Sequence, residues 1–190
     1  MSEAGLVDLW RRLGVLVEGH VLLTSGRHST AFFLFARLMQ WPAHLEGVAR
    51  QLVAPLRGQG VEAVMGPAMG GVILAYEGAR ALGVRALYTE KEPDGRMALR
   101  RGFDLRAGTR VLVVEDAVTT GGSLRRCLDA ARAQGAEVVA VAALLDRRVG
   151  AVEFGAPFYA LVRRALPVYD PACCPLCRRG VPLTLPKAAR

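Results

Sequence analysis

Apolar residues in the first third of the chain recur at spacings that predict two helices and a pair of strands. The first helical stripe comprises Leu6, Leu9, Trp10 and Leu13. The runs Val21–Leu23 and Ala31–Phe35 flank a polar loop and predict strand-like segments packed beside the main fold. A second helical stripe between Leu45 and Leu56 follows Pro42, and proline is favoured in the first turn of a helix.

From residue 63 onward, short apolar runs alternate with helical patterns. The predicted strands are 63–65, 85–88, 110–114 and 138–145, and the predicted helices are 71–82 and 122–134. Val111–Val114 and Val138–Leu145 are apolar at every position, as in strands whose two faces are both covered by helices. We therefore predict an α/β protein with a doubly wound, mostly parallel sheet and helices on both faces.

One predicted strand end carries a cluster of polar residues. The strand at 110–114 leads into Glu115 and Asp116, then into the hydroxyl- and glycine-rich turn Thr119–Ser123, and then into a helix. Backbone N–H groups, hydroxyls and the positive end of a helix dipole together bind anions such as phosphate. Carboxylates suit ribose hydroxyls instead, either directly or near a divalent metal. Ligands of such sheets bind beyond the carboxyl ends of the strands, where this segment falls.

A helix start capped by Ser or Thr, with no ligand, is the simpler alternative for this segment. Two acids at a buried strand end, followed by doubled Thr and doubled Gly, favour a ligand site. Competing motifs are absent from the sequence. It contains neither G-x-x-x-x-G-K-[ST] nor a G-x-G-x-x-G that opens a helix after a strand, and none of its three His lies in H-E-x-x-H.

Composition narrows the class of protein further. The chain has 190 residues, of which 52% are hydrophobic and 22% charged, and this fits a single folded domain. Its apolar runs are too short to span a membrane and its N-terminus lacks the order of a secretory signal, so we expect a cytoplasmic protein. The net charge of +8 fits a small polyanionic substrate as well as nucleic acid. No interleaving of aromatic and basic residues supports nucleic-acid binding.

Three of the four cysteines crowd the C-terminal region, at Cys173, Cys174 and Cys177. A structural zinc site needs about four ligands, and the sequence shows neither a second cysteine pair nor a His near this C-x-x-C. We therefore expect plain thiols or a disulfide here, with a zinc site completed across a dimer as the alternative.

Residues 111–123 resemble the motif with which type I phosphoribosyltransferases bind 5-phosphoribosyl-1-diphosphate (PRPP). Three further segments resemble the orotate phosphoribosyltransferases: Ser25–Ser29 followed by Phe32-Phe33, Gly66–Ala68, and Leu145–Arg147. The first motif is specific for the superfamily, and orotate as the base depends on the other three. The resemblance implies the type I phosphoribosyltransferase fold over residues 1–190, with 1–40 and 165–190 forming a small hood over the core.

The resemblance also implies roles for the residues of the PRPP motif. Glu115 and Asp116 would be catalytic and would hold the ribose 2- and 3-hydroxyls. PRPP would further contact the residues that follow them: Ala117, Val118, Thr119, Thr120, Gly121, Gly122 and Ser123. The last five of these would surround the 5-phosphate.

For orotate, the resemblance implies contacts with Thr119 and with the backbone of Phe32 and Phe33. Arg147 would pair with the orotate carboxylate, which a planar guanidinium matches with two parallel hydrogen bonds. Considered without the resemblance, Arg147 would be a solvated surface residue like its neighbour Arg148.

Residues 89–103 correspond to a mobile catalytic loop that, in the family, reaches into the neighbouring subunit's site and covers the diphosphate. Lys91 matches a catalytic, PRPP-binding lysine of that loop. Other loop candidates are Arg96, Arg100 and Arg101, where the family has further Lys and a His. Two more family lysine positions hold Thr24 and Gly70 here. A solvated hairpin around Asp94-Gly95 is the alternative, and it is compatible with a lid.

The implied reaction converts orotate and PRPP to orotidine 5'-phosphate and diphosphate, in de novo synthesis of UMP. It implies Mg²⁺ as cofactor, held mainly by PRPP rather than by direct protein ligands, and a homodimer with a shared loop. No nucleic-acid or membrane partner is expected. The alternatives are a phosphoribosyltransferase for a purine or uracil, and a regulator that senses PRPP without catalysis.

Overall fold

The computed structural model describes residues 1–23, 25–150 and 152–185, so Thr24 lies outside the described residues. The chain divides into two compact units, one formed by Met1–Gln40 with Ala165–Arg190 and the other by Trp41–Arg164. Whether the first unit covers the second as a hood stays a prediction. Within the described residues, no helix is both long and apolar enough to cross a membrane.

The helices and strands are described here in chain order. The α-helices are α1 (Glu3–Arg12), α2 (Ala36–Met39), α3 (Pro42–Val53), α4 (Gly70–Leu82), α5 (Gly122–Ala133) and α6 (Pro175–Arg178). The strands are β1 (Leu16–Leu22), β2 (His28–Phe33), β3 (Ala63–Pro67), β4 (Arg85–Lys91), β5 (Met97–Leu99), β6 (Arg110–Val118), β7 (Glu137–Asp146), β8 (Phe158–Arg163), β9 (Val168–Tyr169) and β10 (Leu183–Thr184). Short 3-10 helices cover Ala54–Leu56 and Pro171–Cys173.

The unit Trp41–Arg164 contains the predicted doubly wound sheet. Among the described residues, six strands are ordered β5-β4-β3-β6-β7-β8, and all pair in parallel except the edge strand β5. The chain starts at β3, moves outward to β4, and then returns to β6 on the other side of β3. This reversal of strand order places a crevice between the carboxyl ends of β3 and β6.

Helices pack on both faces of this sheet, as the apolar runs predict. Val111 and Val113 of β6 join one buried cluster with the α5 residues Leu124 and Leu128. On the opposite face, Gly78 of α4 lies within van der Waals distance of side chains from β3 and α3. Because successive residues of a strand face opposite sides, a continuous apolar run serves both layers.

The observed elements differ from the predicted ones mainly in length. β6 continues past Val114 to Val118, because its parallel pairing with β7 extends as far as Val118 and Asp146. Glu115 and Asp116 therefore lie within the strand rather than after it. β4 extends to Lys91 and forms a hairpin with β5, and the edge strand β8 was not predicted.

The unit Met1–Gln40 with Ala165–Arg190 has a small sheet of its own, ordered β10-β1-β2-β9 among the described residues. β1 and β2 pair antiparallel, as the flanking apolar runs predict. Helix α1 contributes Trp10, which is fully buried and meets Phe33 and Phe35 edge to face, with ring centroids 5.8 and 5.0 Å away. Aromatic pairs favour such edge-to-face contacts.

The expectation that no His lies near the C-x-x-C is wrong. His20 and His28 lie beside Cys174 and Cys177, and the four ligand atoms are all within 4.8 Å of one another. The four cysteines are free rather than disulfide-bonded. Strand pairing brings the residues together across more than a hundred positions of sequence, which is why local spacing did not reveal them.

Candidate active site

The predicted phosphate turn lies at the crevice between β3 and β6. β6 ends at Val118 and α5 begins at Gly122, so the turn 119–121 joins the end of a central strand to the start of a helix. A cavity of about 50 Å³ is lined by Glu115 and by the residues from Ala117 to Leu124. Thr119, Thr120 and Ser123 expose their side chains here.

The start of α5 leaves its backbone N–H groups available to an anion. Its N-cap residue is Gly121, which provides no side-chain cap, and its first turn contains no acidic residue. The N–H of Gly122 donates to Oγ1 of Thr120 at 3.5 Å, a long and therefore weak hydrogen bond. The N-cap residue is therefore not the Ser or Thr that the simpler alternative requires.

Gly121 is required at its position for two independent reasons. Its φ is 76°, in the left-handed region that residues with a Cβ rarely adopt. A Cβ on Gly121 would also lie 3.0 Å from the ring of Phe154.

The carboxyl groups of Glu115 and Asp116 interact with each other beside the turn. Glu115 is 8% exposed, and burial together with the neighbouring charge of Asp116 raises the pKa of Glu115 well above its usual range. The two groups are also hydrogen-bonded, which favours a proton shared by the pair. The N–H of Ala117 donates to Oδ1 of Asp116 at 2.6 Å. A partner that donates hydrogen bonds or carries positive charge would stabilise the ionised pair.

Asp116 also faces the start of α4, which follows β3 on the other side of the crevice. A Cβ on Gly70 would lie 2.7 Å from Oδ2 of Asp116, so the absence of a side chain at position 70 makes room for the carboxylate. From the family resemblance, the sequence predicts only that a lysine is missing at position 70. The contact with Asp116 is what the sequence alone did not reveal.

Arg147 lies directly beside the phosphate turn. It follows β7, and its backbone N–H donates to the carbonyl of Val118 at 2.8 Å. Its Nε is buried and has no hydrogen-bond partner in the described part of the chain. Burial lowers the pKa of the Arg147 guanidinium, since the charged form loses solvation. A buried Nε–H donor without a partner is energetically costly, so the Arg147 side chain is not held by the protein as its neighbours are.

The neighbouring Arg148 is held very differently. It makes two hydrogen bonds of 2.8 Å with the carboxylate of Asp146, and it donates to the carbonyl of Val152 at the same distance. Its guanidinium lies 4.3 Å from the ring centroid of Phe158. Arg148 is therefore a structural residue, whereas Nε of Arg147 has no hydrogen-bond partner among the described residues. The two adjacent arginines are not the interchangeable surface residues that their spacing alone suggests.

The predicted loop 89–103 is a hairpin of β4 and β5 that turns at Asp94-Gly95. Its three arginines each pair with an acid of the same hairpin: Arg96 with Asp94, Arg100 with Glu92, and Arg101 with Glu90. Those hydrogen bonds lower the pKa of each carboxyl. Solvent weakens exposed pairs of this kind, so a polyanion can replace the acids. Lys91 ends β4 and is exposed.

Phe32 and Phe33 belong to the other unit, where they end β2. Phe33 is buried against Trp10, and Phe32 is paired with Val17 in the strand ladder. Their predicted contact with the base stays a prediction. Glu115, the turn 117–123 and Arg147, by contrast, are brought together within one unit.

Comparisons with known proteins agree with this arrangement. A family model described as "Phosphoribosyl transferase domain" matches residues 36–164, which include the whole crevice between β3 and β6. The match covers the strands, the turn and Arg147. The class of protein defined by the fold and the site is therefore the phosphoribosyltransferase class.

Individual relatives are more specific. The orotate phosphoribosyltransferase of Heliobacterium modesticaldum is 49% identical over 188 residues, covering 98% of each chain. That of Caldanaerobacter subterraneus is 44% identical over 186 residues, covering 98% of this chain and 97% of the relative. The crystal structure of orotate phosphoribosyltransferase from Aeropyrum pernix has a TM-score of 0.68 at 26% identity, covering 83% of this chain and 93% of that one. The chain belongs to the orotate phosphoribosyltransferase family.

Proposed function

We propose that this protein transfers the phosphoribosyl group of PRPP to orotate, producing orotidine 5'-phosphate and diphosphate for pyrimidine nucleotide synthesis. The observation that carries the proposal is the meeting, near the carboxyl end of β6, of an uncapped helix start, a carboxylate pair and an arginine whose buried Nε has no hydrogen-bond partner among the described residues. The first suits a phosphate, the second ribose hydroxyls and the third the carboxylate of the base. The names of relatives at 44% and 49% identity support orotate as that base.

In this proposal, the turn Thr119–Ser123 binds the 5-phosphate through the N–H groups at the start of α5 and the exposed hydroxyls. Ala117 and Val118 lead the chain into that turn. Glu115 and Asp116 accept hydrogen bonds from the ribose 2- and 3-hydroxyls. If the pair releases its proton to solvent on binding, hydrogen bonds donated by these hydroxyls would stabilise the two carboxylates that result.

Orotate then lies between the turn and Arg147, whose guanidinium pairs with its carboxylate in a two-pronged contact. Thr119 contacts the ring, and the backbone of Phe32 and Phe33 meets its polar edge. Because the Arg147 guanidinium is already desolvated, pairing it with an anion costs little further desolvation. A base without a carboxylate would leave that buried donor unsatisfied, which would disfavour uracil and purines.

Mg²⁺ is part of the proposal, and the residues present fit it. A hard divalent cation prefers carboxylate and phosphate oxygens, and the Glu115–Asp116 pair carries negative charge beside the phosphate turn. These two residues would help to hold an ion that is bound mainly by the diphosphate and ribose oxygens of PRPP. When bound, Mg²⁺ neutralises negative charge on the leaving diphosphate.

Displacement at the anomeric carbon develops positive character on the ribose ring, as in glycosyl transfer generally. A ring nitrogen of orotate is the nucleophile, so the chain needs no nucleophilic side chain. The carboxylates stabilise the developing positive charge and hold the ribose in line between base and diphosphate. Four basic residues of the hairpin would cover the diphosphate: Lys91, Arg96, Arg100 and Arg101. The three arginines would first have to leave their ion pairs within the hairpin.

We also propose a cytoplasmic homodimer in which each hairpin completes the partner's site. The exposure of Lys91 and the weak, solvent-facing pairs of the hairpin support a segment that can move onto a second subunit. No nucleic-acid or membrane partner is part of the proposal.

The test is to incubate the purified protein with PRPP and Mg²⁺ and with orotate, uracil, hypoxanthine, adenine or no base, and to measure diphosphate release. Among these reactions, only the one that contains orotate is expected to release diphosphate. Release with another base instead would assign that base, and binding of PRPP without release under any condition would identify a PRPP-sensing regulator.

A further inference from the structure

Four side chains that the proposed reaction does not use converge inside the unit formed by 1–40 and 165–190. Nitrogen atoms of His20 and His28 and the sulfurs of Cys174 and Cys177 lie within 4.8 Å of one another. His20, His28 and Cys174 are 2%, 6% and 1% exposed, whereas Cys177 is at the surface. Burying this many polar groups is unfavourable unless they bind one another or a shared partner.

Strand pairing explains why the two histidines meet. Leu22 of β1 is directly opposite His28 of β2, so the side chains of these two residues lie on the same face of the ladder. His20 lies where the register of the ladder shifts between Glu18 and Val21, and its ring reaches the ring of His28 from that position. The result is an imidazole pair with ring centroids 4.7 Å apart.

The C-terminal segment carries the cysteines across this face. β9 pairs with β2 at His28, and β10 pairs with β1 at His20. Between these two outer strands, the chain passes over the hairpin and forms α6, with Cys174 as its N-cap residue and Cys177 within it. The topology thus fixes both histidines and both cysteines independently of any ligand.

The distances fit a tetrahedral metal site. Zinc bond lengths of about 2.3 Å to sulfur and 2.0–2.1 Å to nitrogen place a sulfur and a nitrogen ligand about 3.6 Å apart. Sγ of Cys174 is 3.6 Å from Nε2 of His20, and Sγ of Cys177 is 3.7 Å from the same atom. Sγ of Cys177 is 3.3 Å from Nδ1 of His28. The two ring nitrogens are 2.8 Å apart and need to separate by only about 0.5 Å.

The surrounding groups orient the ligand atoms as metal sites require. Nδ1 of His20 is 2.8 Å from the carbonyl of Val181, so this nitrogen carries the proton and Nε2 keeps its lone pair for a metal. This contact comes from the same C-terminal segment that supplies the cysteines.

We propose that His20, His28, Cys174 and Cys177 bind one zinc ion as a structural site. Four protein ligands from one chain fill the tetrahedron and leave no position for a substrate, which distinguishes a structural from a catalytic site. The ion joins the β1–β2 hairpin to the C-terminal segment that crosses it. The proposal is independent of the base on which the enzyme acts, and it needs no second subunit to complete the ligand set.

The first experiment measures metal in protein purified without added chelator or affinity metal. One zinc per chain is expected, and Cys177→Ser and His28→Ala should each reduce this content to near zero. Cys173→Ser and His44→Ala are the matched controls, because Cys173 lies outside the ligand set and His44 is exposed on α3. Both controls should keep one zinc.

A second measurement on the unmodified chain guards against variants that fail to fold. The zinc is removed with a chelator under reducing conditions and replaced with Co²⁺. Intense visible absorption and a sulfur-to-cobalt charge-transfer band are expected for tetrahedral thiolate coordination. Removal of the metal should lower the melting temperature by roughly 5–15 °C, since binding free energy becomes folding free energy.

Three outcomes would overturn the proposal. The first is a chain that neither contains nor takes up zinc or cobalt while its thiols are reduced. The second is a Cys174–Cys177 disulfide in freshly purified protein. The third is equal zinc content in Cys173→Ser and Cys177→Ser. The first would leave a hydrogen-bonded cluster of thiols and imidazoles as the explanation of the geometry.

Discussion

Gly70 and Asp116 face each other across the crevice between β3 and β6, and a Cβ at position 70 would lie 2.7 Å from Oδ2 of Asp116. The start of α4 therefore determines where the carboxylate of β6 can lie. In this chain, the placement of the Asp116 carboxylate is therefore coupled to the absence of a side chain at position 70.

This contact predicts the effect of Gly70→Ala. The added methyl group must displace the Asp116 side chain, and kcat/KM for PRPP should fall by about tenfold or more, which corresponds to at least about 1.4 kcal/mol of transition-state stabilisation. Steady-state kinetics measures the loss. Gly47→Ala is the matched control. Gly47 lies in a different helix, α3, and a Cβ at this position would meet no other atom within 4 Å. If both variants keep full activity, the position of Asp116 does not depend on Gly70.

Glu115→Gln should separate stability from activity. Folding raises the pKa of Glu115 above its ordinary value of 4.5. At a pH between these two pKa values, the folded protein therefore keeps a proton on this group that the unfolded chain has lost. The stability contributed by this group is complete below the ordinary value and is lost as pH rises through the raised pKa. Near about pH 9, Glu115→Gln should therefore stabilise the ligand-free protein by on the order of 1–3 kcal/mol.

The same variant should bind PRPP more weakly, because an amide accepts hydrogen bonds from ribose hydroxyls less strongly than a carboxylate does. Denaturant unfolding across the pH range measures the stability difference, which should vanish under acidic conditions. Glu153→Gln, an exposed substitution in the same unit, is the control and should leave the pH dependence unchanged. A difference that grows towards acidic pH would contradict the assigned direction of the Glu115 pKa.

The sequence predicted the central sheet well because its signal is local. The runs Val111–Val114 and Val138–Leu145 are apolar on both faces, and both are central strands. The end of β6 was misplaced because Glu115 and Asp116 look like loop residues, yet they continue the pairing with β7. Local polarity cannot show how far a neighbouring strand extends.

The chemistry of single residues was less predictable. Arg147 and Arg148 are identical in type and adjacent in sequence, and only the position of Asp146 and of the aromatic rings distinguishes the structural arginine from the unpartnered one. The convergence of His20 with Cys174 likewise depends on strand register, since 154 positions separate them. Such contacts arise from tertiary structure, and spacing along the chain carries no trace of them.

Arg147→Ala should raise the KM for orotate by roughly 10- to 150-fold, because a charge-assisted, two-pronged contact contributes about 1.5–3 kcal/mol. The KM for PRPP should change little. Arg148→Ala is the matched control. It removes the Asp146 pair and should lower the melting temperature while leaving the ratio of the two KM values near that of the parent protein. An equal rise in both KM values for Arg147→Ala would place Arg147 outside the base site.

The proposed sharing of the hairpin between subunits predicts complementation between two inactive variants. Lys91→Ala should disable the hairpin and Asp116→Asn the crevice, so each variant alone should be almost inactive. If each hairpin serves the partner's crevice, a mixed dimer contains one site with both residues intact. Complete exchange of equal amounts should then restore about one quarter of the parent activity, since half of the dimers are mixed and one of their two sites is intact.

Asp116→Asn mixed with Glu115→Gln provides the control for this exchange. Both substitutions lie in the crevice, so every site of every dimer stays damaged and activity should not recover. Mass spectrometry of the intact assemblies confirms that mixed dimers have formed. Mixed Lys91→Ala and Asp116→Asn dimers without recovered activity would mean that Lys91 acts on the crevice of its own chain, because each site would then carry one of the two substitutions.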